Sequence, residues 1–320
     1  MITLAITGAS GYIGKHLITE LARHGGCRIK VLSRSRRQEI YAVESGCNIE
    51  VIEGDLRAPE TLRGFFEPGC TVINLVYLRN AGQTENLAVI DNLLAACRTA
   101  KIGRLVHCST ADVTGRTWDN LVTESTPCHP VTEYGITKLK VEKAILDAAG
   151  SCLEVAILRP TAVFGRGGEN LNKLAGNLVS GKRVRNYLKS CLFGRRRMNL
   201  VHIANVVAAI LFLIHHAEDV SGEVFIASDD DNPSNSYADV ERILMREFSI
   251  PYYSMPRFPV PPCVLSFLLR LLGRNNINPR SVYAPGKLIG YGFKRPISFE
   301  TGLAEYAAWY RSSFIDRREG

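Results

Sequence analysis

The sequence predicts an α/β fold, a doubly wound parallel sheet followed by a smaller C-terminal substrate lobe. Three observations carry that expectation. Short β-branched runs alternate with amphipathic helical patterns through the first half of the 320-residue chain. The first strand-to-helix turn is rich in glycine. Beyond residue 165 the alternation gives way to irregular, proline-rich segments.

The elements follow in order. "ITLAIT" (2–7) is a β-branched run ended by glycine, and "IGKHLITELARHG" (13–25) has helical spacing and a glycine stop. "CRIKVLSR" (27–34), "NIEVIEGD" (48–55), "TVINLVY" (71–77) and "RLVHCST" (104–110) read as the next four strands, and "CLEVAILRP" (152–160) as the sixth. The long patterns at 84–101 and 133–150 are amphipathic helices. This assigns 1–165 to a dinucleotide-binding domain, with segments at about 196–228 returning to it. Residues 166–320 form mainly the lobe, which fits the carboxyl edge of the sheet, where α/β ligands bind. "IANVVAAILFLIHHA" (203–217) and "VPPCVLSFLLRLLG" (260–273) are shorter than the ~20 residues a membrane span needs. The first reads as a buried helix. The second reads as a lobe helix, a partner face or a helix lying on a membrane surface.

Composition narrows the class. The chain has 39 Lys and Arg against 31 Asp and Glu, a net charge of +8, which suits phosphorylated ligands or serves solubility. The bases cluster at Arg34–Arg37, Arg195–Arg197 and Arg317–Arg318, without an aromatic-basic RNA motif or zinc-finger spacing, which argues against nucleic acid. Nine scattered cysteines with no CxxC pair fit a reduced cytoplasmic protein without a metal site or disulfide frame. The N-terminus carries no basic region or cleavage site of a secretion signal.

The chemistry is concentrated in four places. In "TGASGYIG" (7–14), Gly8, Gly11 and Gly14 stand between a strand and a helix, with Ser10, Tyr12 and Ile13 among them. Absent side chains let the backbone approach a pyrophosphate, and the helix N-terminus offers N–H donors. A tight strand-to-helix turn would also use glycines there. At the end of the second strand stand Ser33 and Arg34, with no carboxylate to repel a 2′-phosphate. NADP is therefore expected ahead of NAD. Asp55 ends the third strand, where it would accept from adenine or cap the next helix. Finally, Tyr134 and Lys138 are four apart on one helix face, and Ser109 and Thr110 end the fifth strand. A phenol ionises near ~10 in water, and an ammonium beside it favours the phenolate. The hydroxyls would polarise a reacting carbonyl or alcohol.

With these pieces in this order the chain resembles the extended short-chain dehydrogenase/reductases of the NAD(P)-dependent epimerase/dehydratase type. TGASGYIG (7–14), GDLR (54–57), NLAVIDNLLAAC (86–97), CSTADVTG (108–115), YGITK (134–138), LRPTAVFG (158–165), RRMNLVHIANV (196–206) and the closing ISFETGLAEYAAWYR (297–311) carry the likeness. It implies a Rossmann sheet. It also implies Tyr134 as general acid/base, Lys138 as its activator and ribose ligand, and Thr110 as the catalytic hydroxyl with Ser109 beside it. Asp55 and Leu56 would meet adenine, Leu75 would join the cofactor contacts, and the segment Pro160 to Val163 would lie along the nicotinamide. A homodimer through the helices at 86–100 and 134–148 is usual in the family.

Departures from the family pattern bear on the substrate. Thr114 stands for the usual tyrosine, Val76-Tyr77 for two alanines, Ala162 for an asparagine, and Asn205 for an aspartate. Tyr77 would crowd the cofactor phosphates or reach the substrate. Arg197 lies one position from the family's diphosphate arginine, and Ala111-Asp112 keeps only one of the two carboxylates of 4,6-dehydratases. Tyr77, Ser109, Asp112, Arg197 and Arg280 are thus the candidate substrate contacts. The resemblance implies hydride transfer at a nucleotide sugar, as an epimerase or reductase of surface-polysaccharide synthesis. The alternatives are an NADP-dependent reductase of an apolar alcohol or ketone, and a non-catalytic dinucleotide sensor, which the intact Thr110, Tyr134 and Lys138 oppose.

Overall fold

The computed structural model describes residues 2–35, 48–150 and 153–315. Arg36, Arg37, Cys47, Cys152, Arg317 and Arg318 lie outside the described residues. The chain divides into two compact units. One comprises Met1–Thr110, Glu133–Arg159 and Val207–Phe225; the other comprises Ala111–Thr132, Pro160–Val206 and Ile226–Gly320. Relative to the division expected from the sequence, 111–132, 160–165, 196–206 and 226–228 group with the second unit.

The first unit opens with β1 (Ile2–Thr7), α1 (Tyr12–His24), β2 (Cys27–Ser33), β3 (Asn48–Glu53), β4 (Thr71–Asn74), α2 (Gln83–Ala100) and β5 (Arg104–Cys108). After β6 (Leu121–Val122) come α3 (Glu133–Asp147) and β7 (Glu154–Pro160). The chain continues through β8 (Ala162–Phe164), α4 (Asn172–Val179), α5 (Arg183–Phe193), β9 (Leu200–His202), α6 (Ile203–His215) and β10 (Glu223–Ala227). The seven-stranded sheet has the order β10-β7-β5-β4-β1-β2-β3. The pairs β1–β2, β1–β4, β2–β3, β4–β5 and β5–β7 are parallel. The order reverses at β1, the switch point where α/β proteins bind ligands.

Continuous apolar strands are what a sheet covered on both faces requires. Ala5, Val72, Leu105, Val155 and Ile157 pack with Leu93, Ile90 and Val141 of the covering helices. Arg104 locks the end of α6. Its guanidinium pairs with Glu154 at 2.6 Å and donates to the carbonyls of Leu213, Ile214 and His216. Those are C-terminal acceptors left without helical partners. The apolar 203–217 segment is the largely buried α6.

One strand is shorter than its sequence suggests. "TVINLVY" stays in the sheet only to Asn74. The Asn74 side chain accepts from the Val76 N–H at 3.1 Å and from the Thr7 hydroxyl at 2.8 Å, which turns the chain off the ladder. Leu75 to Tyr77 then cross the carboxyl edge.

In the second unit β8 pairs with β9, and β6 with β11 (Val282–Tyr283). Its helices include α7 (Tyr237–Glu247), α8 (Pro262–Leu271), α9 (Gly286–Gly290) and α10 (Phe299–Tyr310). Phe164, Leu200, Leu244, Leu303 and Tyr306 anchor its core. The seven described cysteines are free thiols, and no helix among the described residues is long and apolar enough to cross a membrane.

Candidate active site

The glycine loop is shaped by close backbone approach. Gly8 has φ +77°, and a Cβ there would lie 2.9 Å from the Leu75 carbonyl carbon. A Cβ on Gly14 would lie 2.5 Å from the Gly8 carbonyl oxygen and 2.6 Å from Ala9 Cα. The Gly11 amide donates to the Gly8 carbonyl at 3.0 Å, which closes the turn. Gly11 also caps α1 without any side-chain acceptor, and the first turn holds no carboxylate. The leading N–H groups of α1 are thus left for an anion. Residues 10 and 11 are exposed, and Tyr12 and Ile13 start the helix. The Tyr12 hydroxyl is buried without a partner, and burial raises its pKa above the ordinary phenol range. This cradle fits a dinucleotide pyrophosphate.

At the end of β2 the Ser33 hydroxyl donates to the Ser35 carbonyl at 2.8 Å, and Arg34 is exposed beyond it. Ser33 lies opposite Glu53 in the register of β2 and β3. Asp55 accepts from the Arg57 amide at 2.9 Å, so one carboxylate oxygen caps the local turn. Leu56 buries its side chain in the core, and its carbonyl accepts from Asn92 at 2.8 Å. The Leu75 amide donates to the Thr7 carbonyl, fixing this crossing segment beside Gly8.

The polar ends of β1, β4 and β5 form one chain. Thr7 donates to Asn74, and the Asn74 amide meets His107 Nδ1 at 3.1 Å. His107 is fully buried. Burial first, and then the nearby Lys138 charge, hold its ionisation well below the ordinary imidazole range. Sequence reasoning missed this chain. Its trace in the sequence is a polar residue at or next to the carboxyl end of each of the three strands.

Lys138 is 4% exposed on α3 and donates to the Cys108 carbonyl at 3.1 Å. Burial pushes its ammonium ionisation down, and Cys108 and Glu142 oppose that shift. Glu142 is itself held by Arg159 at 2.6 Å. Lys138 Nζ stands 5.4 Å from the centre of the Tyr77 ring. The same ring meets Tyr134 edge-on, with centroids 4.8 Å apart at 89°. Tyr134 is 37% exposed, open to a substrate at the edge where β4 and β5 end. Ser109 is buried with its hydroxyl unpartnered, and Thr110 follows it half-exposed. The first unit therefore joins the glycine loop, Leu75, Tyr77, Tyr134 and Lys138 through successive contacts.

The remaining candidates lie in the second unit. Pro160 is buried, and Val163 pairs with Val201 while its carbonyl accepts from Asn170 at 2.7 Å. The Asp112 carboxylate accepts from Thr132 at 3.4 Å, and its carbonyl accepts from Asn275 at 2.7 Å. Arg280 is exposed. The Arg197 guanidinium donates to the carbonyls of Asp230, Asn232 and Pro233 and so clamps that turn. Asn205 donates to Asp229 at 3.0 Å, which places a carboxylate beside the position where the family pattern has its own.

Comparison with known proteins places the fold in a family. The model of the "NAD dependent epimerase/dehydratase family" matches residues 4–227. A curated relative from Stigmatella aurantiaca is 29% identical over 235 residues, covering 70% of this chain and 67% of its own length. It is the 4-hydroxy-2-methyl-3-oxo-4-farnesyl-3,4-dihydroquinoline-1-oxide ketoreductase. Among solved structures, Bordetella bronchiseptica WbmG in complex with NAD and UDP superposes with TM-score 0.74 at 21% identity, covering 98% of this chain and 95% of its own. The UDP-glucuronic acid 4-epimerase of Bacillus cereus in complex with NAD gives 0.71 at 18% identity, covering 98% of each chain.

Proposed function

The chain belongs to the NAD dependent epimerase/dehydratase family, and from that premise we propose that it is an NADP-dependent epimerase or reductase acting at a hydroxyl or keto carbon of a nucleotide sugar. The observation that carries the reading is the contact of Tyr77 with both Tyr134 and Lys138 beside the glycine cradle. A bound dinucleotide supplies the nicotinamide that gives or takes the hydride. Gly8, Gly11 and Gly14 hold its pyrophosphate at the α1 N-terminus, with Ser33 and Arg34 at the 2′-phosphate and Asp55 at the adenine. Tyr134 moves the proton at the substrate oxygen. Thr110 hydrogen-bonds that oxygen, and the Lys138 charge favours the phenolate. The nucleotide sugar is supported by the UDP in the WbmG complex and by the UDP-glucuronic acid in the name of the Bacillus cereus epimerase. That chemistry suits surface-polysaccharide synthesis in the cytoplasm, by a homodimer paired through α2 and α3.

A second reading is a reductase of an apolar ketone. It is favoured by the farnesyl-bearing substrate in the name of the Stigmatella relative and by the commitment of Arg197 to backbone carbonyls. Thermal melting with NADPH and a panel of UDP-, dTDP- and GDP-sugars separates the two, since a ligand of the native state raises the melting temperature. A nucleotide that stabilises and supports NADPH turnover upholds the first reading. Stabilisation by an isoprenoid ketone alone upholds the second.

A further inference from the structure

We propose that the second unit docks, through the face formed by α5, the 251–260 segment and α8, on an anionic lipid bilayer surface. Single exposed apolar side chains are ordinary, but those of α8 are not scattered. Val264, Phe267, Leu268 and Leu271 are all exposed and recur at the three- and four-residue spacing of one helix face. The opposite face, Leu265 and Leu269, is buried in the unit. A helix apolar on both sides has a second apolar environment to meet.

The stripe continues beyond α8. Segment 251–260 is laid along α5: Tyr187 donates to the Pro256 carbonyl at 2.6 Å, and the Val260 amide donates to the Cys191 carbonyl at 3.3 Å. It runs directly into α8, and its prolines at 251, 256 and 259 stiffen it. It exposes Met255 and Phe258, and α5 beneath it exposes Val184 and Leu188. This contiguity is the signature of an interaction surface.

Charge identifies the partner. No Asp or Glu occurs between Glu169 and Glu218 or between Glu247 and Glu300, the two stretches that build this face. They carry the whole positive excess of the chain. Lys182, Arg185, Arg270 and Arg274 are exposed around the apolar stripe. The ionisation of Lys189 is lowered by burial and then by the charges of Arg185 and Lys173, which shows how closely the cations are gathered. An apolar helix face bordered by cations matches an acyl boundary bordered by anionic headgroups. A second copy of the chain would bring the same uncompensated cations face to face. The ten residues of α8 are too short to span a bilayer, so the helix lies in the interface.

The test is sedimentation of the full chain with vesicles of phosphatidylcholine, with and without phosphatidylglycerol. The chain should pellet with the anionic vesicles and be released by salt. F267E/L271E should abolish pelleting while leaving the melting temperature unchanged, because both side chains face solvent. Arg185→Gln, Lys189→Gln and Arg270→Gln combined should weaken binding about a hundredfold, at about fivefold per charge. Failure of the unaltered chain to pellet with anionic vesicles overturns the proposal, as does pelleting that neither variant changes. So does a chain that ignores vesicles yet forms a dimer that F267E/L271E dissociates, since a second copy would then cover the face.

Discussion

Replacing Gly14 by alanine tests whether the loop is a cofactor cradle or only a tight turn. The added Cβ would stand 2.5 Å from the Gly8 carbonyl oxygen, 2.6 Å from Ala9 Cα and 2.6 Å from the Ala9 carbonyl oxygen. Ordinary contact needs roughly 3.5 Å between such atoms, so the loop must retreat by about 1 Å. Every obstructing atom is backbone, and no flexible side-chain end can swing away. Over-packing of this kind costs about 1–3 kcal/mol. If the loop yields, the Gly8 to Gly11 turn opens and the pyrophosphate loses its fit, at tenfold in affinity for each ~1.4 kcal/mol. Gly14→Ala should therefore weaken binding of reduced dinucleotide about tenfold to a hundredfold, read by fluorescence titration. Gly25→Ala is the control. It has φ +68° and ψ −166°, a conformation essentially confined to glycine, but nothing within 4 Å of its Cβ, so it should lose about 1–3 kcal/mol of stability through backbone strain and keep its cofactor affinity. If Gly14→Ala binds the dinucleotide within about twofold of the unaltered chain, the loop does not cradle the pyrophosphate.

The other expectations are simpler to state. Tyr134→Phe keeps the ring that packs on Tyr77 and removes the oxygen, so turnover should fall about a hundredfold or more while dinucleotide affinity holds; undiminished turnover excludes Tyr134 as the acid/base. Arg34→Ala should weaken NADP about tenfold more than NAD, because a charge-assisted hydrogen bond to the 2′-phosphate is lost, and equal weakening in paired titrations removes Arg34 from that role. Burial pushes the Asp230 carboxyl up to about 6 from its ordinary 3.8. The folded chain therefore holds that proton more tightly than the unfolded one. The resulting stability is fully present below about 3.8 and is lost as pH rises through about 6. Asp230→Ser should flatten that part of the melting-temperature profile, and identical slopes in the two proteins refute the assignment.

Much of the first unit was legible because its signals are local. A β-branched run, a glycine turn and an amphipathic helix lie within neighbouring residues, and β1 with α1 follows directly from them. What escaped depends on partners far along the chain. β4 reads on to Tyr77 by hydropathy but stops at Asn74, because Asn74 finds Thr7 and His107, 67 and 33 residues away. Arg197 sits in a motif that suggests a diphosphate ligand, yet it spends itself on carbonyls 33 to 36 residues downstream. Asp55 offers two acceptor roles in sequence, and the turn it caps takes one of its oxygens. Spacing can bring Tyr134 and Lys138 to one helix face. It cannot say that a tyrosine from the segment after β4 would stand against both.

That tyrosine changes how the lysine is understood. A buried ammonium needs compensation, or burial drives it toward the neutral amine. On α3 the obvious counter-charge is Glu142, one turn on from Lys138. Glu142, however, is bound by Arg159 through hydrogen bonds of 2.6 to 3.2 Å. What remains nearest to the ammonium is the Cys108 carbonyl at 3.1 Å and the face of Tyr77. An aromatic face attracts a desolvated cation by about 2 kcal/mol, without adding a charge that would oppose a phenolate at Tyr134. A carboxylate in the same place would keep Lys138 charged but raise the pKa of the Tyr134 phenol and so oppose its ionisation. Tyr77 favours the ammonium, and its edge-on contact fixes the Tyr134 ring. In the proposed mechanism, the departure from the family's small residue at position 77 would support proton transfer at Tyr134 and narrow the space for a substrate beside it.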